Sequence, residues 1–169
     1  MPEPSVRLAG TADAGTVAGL IQALESHYAA DGRSSPFERT LAMVQTSMTA
    51  QEGTRYALAF LDGKPLGLAC FAVLRPGNDL RGLIYLKELF VAEQARGQAV
   101  GAALMGWLAD HARSHGIGRI DLTTERANAG AQAFYERLGA ARQDKVVYRF
   151  DLAADGLAAA RTPYDQESA

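Results

Sequence analysis

The residues of this chain best arranged for chemistry run from Arg96 to Ala102 as Arg-Gly-Gln-Ala-Val-Gly-Ala. They lie between an apolar, strand-like stretch, Tyr85 to Val91, and a helical pattern that begins near Val100. A helix start exposes unpaired backbone N–H groups and the positive end of the helix dipole. Small residues at Gly97, Ala99, Gly101 and Ala102 let a ligand approach that backbone closely. Together these features make an anion site, and a pyrophosphate fits it. Arg96 either adds a charged hydrogen bond or faces solvent. The same run also suits a plain small-residue turn ahead of an Ala-rich helix. It is not a P-loop, because no Gly-Lys-Ser/Thr follows. Gly97 and Gly101 also have the wrong spacing for the G-x-G-x-x-G of a dinucleotide site.

Other reactive side chains form no such group. His27, His111 and His115 have no ligand grouping with Cys or acids, so surface or helix-end roles are favoured and no metal is expected. Cys70 is the only cysteine, which excludes an internal disulfide; in the apolar run Leu66 to Leu74 it reads as a buried, inert thiol. Trp107 is most simply core.

The elements that must position the Arg96 turn follow from the hydrophobic period. Ser5 to Ala9 reads as a short strand and about Asp13 to Ala29 as a helix, with Val17, Leu20, Ile21, Leu24 and Tyr28 on one stripe. After a polar break, Ser35-Pro36-Phe37-Glu38 predicts a second helix with Ser35 at the N-cap, Pro36 first in the helix and Glu38 completing a capping box. Phe37, Leu41, Val44 and Met48 are its expected buried face. Tyr56, Leu58 and Phe60 alternate as in a strand, and Asp62-Gly63 is a two-residue hairpin signal. Pro65 to Leu74 is nearly all apolar, as a mid-sheet strand would be. Arg75-Pro76-Gly77-Asn78 breaks it, and Gly82 to Val91 is the next strand. A helix covers Val100 to His115, a short strand Arg119 to Thr124, and a helix capped by Asn128 and stopped by Gly139 follows. Lys145 to Leu152 reads as a last strand. The order β-α-α-β-β-β-α-β-α-β implies a mixed α/β sheet in one domain, residues 1–152, with 153–169 a frayed helix or tail.

Composition bounds the function. Over 169 residues, 48% are hydrophobic and 21% charged, as in an ordinary globular chain with a real core. The net charge is -2 and no Lys/Arg cluster appears, which argues against nucleic acid as a partner. The start, Met1-Pro2-Glu3-Pro4, does not read as a signal peptide. No run of about 18 apolar residues exists, so no membrane span is expected and the cytoplasm follows by default.

Beyond the Arg96 turn, the chain carries Glu88-Leu89-Phe90-Val91 ahead of Gly97-Gln98-Ala99-Val100-Gly101, then Asn128 and Phe134-Tyr135-Glu136-Arg137-Leu138-Gly139. In these it resembles the GCN5-related N-acetyltransferase superfamily, strongly over about Leu83 to Ala140. Within it the chain looks closest to the spermidine/spermine acetyltransferase-like branch. The phosphate motif of that superfamily is Gln/Arg-x-x-Gly-x-Gly/Ala; here Ala99 stands where its first Gly is usual. Alanine can donate the same N–H only if the backbone there needs no positive φ.

The resemblance implies an α/β fold with a mixed, mostly antiparallel sheet, helices on both faces, and two splayed parallel central strands that admit the pantetheine arm of acetyl-CoA. Those strands are Tyr85 to Val91 and Arg119 to Thr124. Leu89, Phe90 and Val91 would pair with the pantetheine amides, and the backbone of Gly97, Gln98, Ala99, Val100, Gly101 and Ala102, with Arg96, would hold the pyrophosphate. Asn128 and Tyr135 would also touch the cofactor. The implied reaction is direct attack of an amine on the thioester. An alkyl amine with pKa about 10.4 is mostly protonated at pH 7, and neutralising it costs roughly 4–5 kcal/mol. A base must take that proton. Glu88, a carboxylate among apolar residues in a strand, is the candidate; alternation puts it on the face of Leu86 and Phe90, opposite Lys87 and Leu89. A structural ion pair is its other reading. Tyr135 is the candidate acid for the leaving thiolate, or else a packing aromatic.

Acceptor contacts in this superfamily come largely from the first two helices and the strand bearing the base. Glu25, Tyr28, Asp31 and Arg33 lie in that region, where two acids and an aromatic suit a cationic amine, although a solvated helix end explains them too. Lys87 stands where the closest branch has an acid, which disfavours a polycation and leaves amino acids, modified amino acids and other small amines open. The competing functional readings are an acyl-CoA-binding module without catalysis, an O- or other acyltransferase, and acetylation of a protein or peptide amine. A homodimer is expected from the superfamily, with Val146-Val147-Tyr148 and an Ala-rich tail as sequence support.

Overall fold

The computed structural model describes residues 3–30, 32–50, 53–76 and 80–150. The Asp31 position and the 153–169 tail lie outside these residues. The chain falls into two compact units, Met1–Ala129 and Gly130–Ala169.

The first unit is built on five strands in sequence order: β1 (Ser5–Leu8), β2 (Thr54–Leu61), β3 (Lys64–Leu74), β4 (Leu83–Val91) and β5 (Ile120–Leu122). The first three junctions are antiparallel and β4–β5 is parallel. The nearly all-apolar β3 is the middle strand, as its composition requires. The β2–β3 hairpin turns on Asp62 and Gly63, whose φ values of +51° and +72° are those of the tight turn that matches strand twist.

Alternation along the strands serves two layers. Ala57, Ala59, Ala69, Phe71, Ile84 and Leu86 point to one face and pack on α3 (Val100–Ser114) through Val100, Leu104 and Leu108. Tyr56, Leu58, Leu68 and Phe90 point to the other and pack under α1 (Ala14–Tyr28) and α2 (Phe37–Thr49), through Val17, Leu20, Leu24 and Val44. Helices thus cover both faces of a mixed sheet. None among the described residues is long and apolar enough to cross a membrane.

Several local expectations are corrected. Tyr28 and Phe37 leave their predicted buried stripes and are 65% and 39% exposed at helix ends. Ser35 does not cap α2: Pro36, in an extended conformation, takes the N-cap position. The Ser35 amide and hydroxyl instead donate to the two oxygens of Glu25, at 2.8 and 3.1 Å. A carboxylate one helix away outcompetes the local cap because it accepts both groups at once.

In the second unit, α4 (Ala129–Arg137) ends where Gly139 turns with φ +90°, and the Ala140 amide bonds back to Tyr135 O. The last predicted strand does not form over its described part: residues 145–150 lie outside any ladder, with Val146, Val147 and Tyr148 more than 70% exposed. A β-branched run becomes a strand only against a partner edge, and no described strand belongs to its unit.

Candidate active site

The register of β3 against β4 slips in one place. Cys70 pairs with Glu88, but the next residue, Phe71, pairs with Leu86, so Lys87 is the extra residue of a β-bulge. This overturns the simple alternation expected for β4. Leu86 packs toward α3 while Phe90 packs toward α1 and α2, on opposite faces. Glu88 goes with Phe90 and with its cross-strand partner Cys70, away from Leu86.

The bulge also ends the parallel ladder. β5 pairs with Ile84, Tyr85 and Leu86 only, while β4 continues to Val91. Past Lys87 no strand among the described residues of this unit runs along the β5 side of β4. The Ala92 amide bonds to Leu66 O on β3, and alternation then turns the backbone groups of Phe90 and Glu88 toward β3 as well. Those of Leu89 and Val91 face the open side. The backbone pairing expected of three residues therefore narrows to Leu89 and Val91; Phe90 contributes a buried side chain instead.

Val91 leads through a 3-10 turn (Glu93–Ala95) to the phosphate-turn candidate. Gly97 has φ +75° and Ala99, the N-cap of α3, has φ +61°. The condition set on Ala99 thus falls against it: this position does use the left-handed region, at a cost of about 1–2 kcal/mol for a residue with a Cβ. The first α3 bond runs from the Ala103 amide to Ala99 O. The amides of Val100, Gly101 and Ala102 therefore have no acceptor inside the helix, and no side chain caps it. Val100 and Leu104 sit tight on the sheet because β3 has Gly67 there; a Cβ on Gly67 would lie 2.7 Å from Val100 Cγ1. Arg96 is held beside this turn by a 3.4 Å bond to Val91 O, with His27 also at 3.4 Å.

On the other face, Glu88 and Lys87 both line a groove of about 690 Å³ between the sheet and helices α1 and α2. Its wall also includes Ile21, Leu24, Glu25, Met43, Tyr56 and Cys70. Lys87 Nζ donates to Glu88 Oε1 at 2.7 Å. That bond holds the Lys87 ammonium above its usual pKa and keeps it charged. Burial, with Glu88 adding to it, pushes the Cys70 thiol up to about 11, so Cys70 is a neutral, inert wall of the groove, though only partly buried. Tyr56 shares a buried 2.8 Å hydrogen bond with Ser47.

Of the predicted acceptor residues, Glu25 and Lys87 reach this groove. Tyr28 does not line it, and Asp31 lies outside the described residues. Cys70, Tyr56 and Met43 are wall residues that sequence reasoning missed; strand alternation in β2 and β3 pointed toward the first two, and nothing local marked Met43 of α2. Tyr135 belongs to α4, where its ring meets Phe134 edge to face at 5.1 Å, and Asn128 immediately precedes that helix. No group of acids, His and Cys able to hold a metal occurs among the described residues.

Comparison with known proteins fits this geometry. N-alpha-acetyltransferase 30 of Schizosaccharomyces pombe is 36% identical over 83 residues, 49% of this chain and 53% of that enzyme. The chain thus spans about half the length of that relative. The L-methionine sulfoximine/L-methionine sulfone acetyltransferase of Pseudomonas aeruginosa is 25% identical over 136 residues, covering 80% of this chain and 78% of that one. Among solved structures, an integron cassette protein from the mobile metagenome of V. cholerae superposes with a TM-score of 0.83 at 27% identity, over 95% of this chain and 98% of that one. A sequence model of the acetyltransferase (GNAT) family matches residues 17–140, from the first turn of α1 to just past α4, and the chain therefore belongs to that family.

Proposed function

We propose that this chain is an N-acetyltransferase that moves the acetyl group of acetyl-CoA to a primary amine of a small molecule. The observation that carries this reading is the start of α3: amides without an intrahelical acceptor, no capping side chain, and small residues around them, beside an open strand edge. That arrangement suits a coenzyme with a diphosphate and an amide-bearing arm. The amides of residues 97–102 hold the diphosphate, and Leu89 and Val91 pair with the arm as a short added strand.

Acetyl-CoA supplies a thioester, whose carbonyl carbon is open to direct attack and whose thiolate leaves readily. Glu88, facing the groove, accepts the proton that the acceptor ammonium must lose. The amine nitrogen then bonds to the acetyl carbon as the carbon–sulfur bond breaks, and the second proton that this nitrogen sheds leaves through solvent, balancing the one given to sulfur. Tyr135, assigned by family resemblance, returns a proton to the departing sulfur, and Asn128 helps to hold the coenzyme. Location in the cytoplasm and a homodimer, with the exposed Val146-Val147-Tyr148 run as its contact, complete the proposal.

The Pseudomonas relative is named for acetylation of two amino-acid derivatives, which supports a small amine acceptor. The yeast relative favours a second reading, acetylation of a peptide amine. A thiol-release assay with acetyl-CoA over polyamines, amino acids, aminoglycosides and peptides tests both. Calorimetry with acetyl-CoA on folded protein should show saturable binding; its absence sinks the whole chemical reading. Binding retained with no acceptor turned over, and no change from Glu88→Gln or Tyr135→Phe, would leave a coenzyme-binding module.

A further inference from the structure

The groove carries a charge pattern that selects among amines. In a regular strand Lys87 and Glu88 would point to opposite faces. The bulge brings both into the same groove as adjacent opposite charges, 2.7 Å apart. The third charged wall residue, Glu25, has both oxygens committed to Ser35, and the Ser35 carbonyl is fixed in turn by Gln22 at 2.7 Å. Glu25 keeps its negative charge, but its oxygens are held by Ser35, so the pair best placed to bond a ligand is the Lys87 ammonium and the Glu88 carboxylate. Around them the wall is mostly apolar, with Ile21, Leu24, Met43 and Leu68 beside the hydroxyl residues Thr46, Ser47, Thr54 and Tyr56.

We infer that the acceptor is a zwitterion, an α-amino acid with an apolar side chain, and that Lys87 binds its carboxylate while Glu88 receives its ammonium. This rests on the proposed acetyl transfer with Glu88 as base. An α-amino acid separates its two charges by a single carbon, so both can meet protein charges that are themselves neighbours. A polyamine would instead set a second ammonium against Lys87, and the other acid on the described wall, Glu25, already accepts two hydrogen bonds from Ser35. The pair also couples recognition to chemistry. Without ligand, Glu88 Oε1 accepts the Lys87 bond. A carboxylate that takes Lys87 frees that oxygen for the ammonium proton. An acceptor lacking the carboxylate leaves Glu88 engaged, so it loses in kcat as well as in KM.

Two matched pairs test this: L-leucine against isoamylamine, and L-methionine against its decarboxylated amine, with spermidine as the polycation. Thiol release is followed for the wild type, Lys87→Gln and Lys87→Glu. Lys87 is 67% exposed at its side chain, so these variants should fold. The wild type should prefer each amino acid over its amine by about 10- to 100-fold in kcat/KM, the scale of one hydrogen bond to a charged group. Lys87→Gln should bring that ratio near unity, and Lys87→Glu should turn it toward isoamylamine and spermidine. Calorimetric binding of leucine to the CoA-loaded protein should weaken in step. Equal turnover of leucine and isoamylamine by the wild type, or a ratio unchanged in Lys87→Gln, overturns the inference while acetyl transfer stands. Failure of every acceptor, with acetyl-CoA still bound, overturns the transferase reading and this inference with it.

Discussion

The two halves of β4 on either side of Lys87 share a strand but not a task. Ile84 to Leu86 is paired along both edges, with β3 and β5, and its inward side chains, Ile84 and Leu86, are almost wholly buried against α3. Glu88 to Val91 keeps β3 on one edge, has no partner strand among the described residues of its unit on the other, and presents its acid to the groove. One inserted residue separates these states. It reverses the faces that follow, stops the parallel ladder, and sets two opposite charges side by side. A fully paired strand has no backbone left to offer a ligand, and the open half does.

Substitutions that act on only one half would break or sharpen this division. The largest effect is expected from Glu88→Gln, which keeps the shape of the open half and removes its proton acceptor. Turnover should fall by about 10²–10⁴-fold with an unchanged melting temperature; retained turnover would end the claim that this half carries the chemistry. Next, Ile84→Ala in the closed half should cost about 2–5 kcal/mol in denaturant unfolding, because the side chain is fully buried. Its turnover per folded molecule should hardly change, and a large catalytic loss instead would show that the halves are not separable. Gly67→Ala presses on the join between β3 and α3. The new Cβ would meet Val100 Cγ1 at 2.7 Å and Ala59 Cβ at 3.0 Å, neither of which can swing away. A loss of about 1–3 kcal/mol is expected, with KM for acetyl-CoA rising more than kcat falls. The smallest effect is Ala99→Gly. Relief of the left-handed alanine, about 1–2 kcal/mol, exceeds the extra freedom glycine gives the unfolded chain, about 0.4–1 kcal/mol. Thermal unfolding should show a net gain of up to about 1.6 kcal/mol, with coenzyme binding intact because the amide stays in place.

The sequence was most legible where one local pattern had no competitor. Asp62-Gly63 demanded its hairpin, and the apolar run of β3 its central place. The small residues after Val91 marked the uncapped start of α3. It was least legible where a distant group intervened. Ser35 carried every sign of an N-cap and lost to Glu25, ten residues away, whose hydrogen bonds are of the same kind as a cap's but are reached only when α1 folds onto α2. Val146 and Val147 carried a strand propensity that their own unit gives no edge to satisfy.

The residue types at Glu88, Lys87 and Ala99, and the small-residue turn that precedes α3, were determined by the sequence alone, since composition and spacing are local properties. Which face Glu88 occupies, that Lys87 stands beside it, and that Ala99 must adopt a left-handed backbone were decided only by the tertiary structure. The reason is that strand alternation assumes an unbroken register, and register is a property of two strands together. Nothing in Lys87 or its neighbours announces that β3 will skip it.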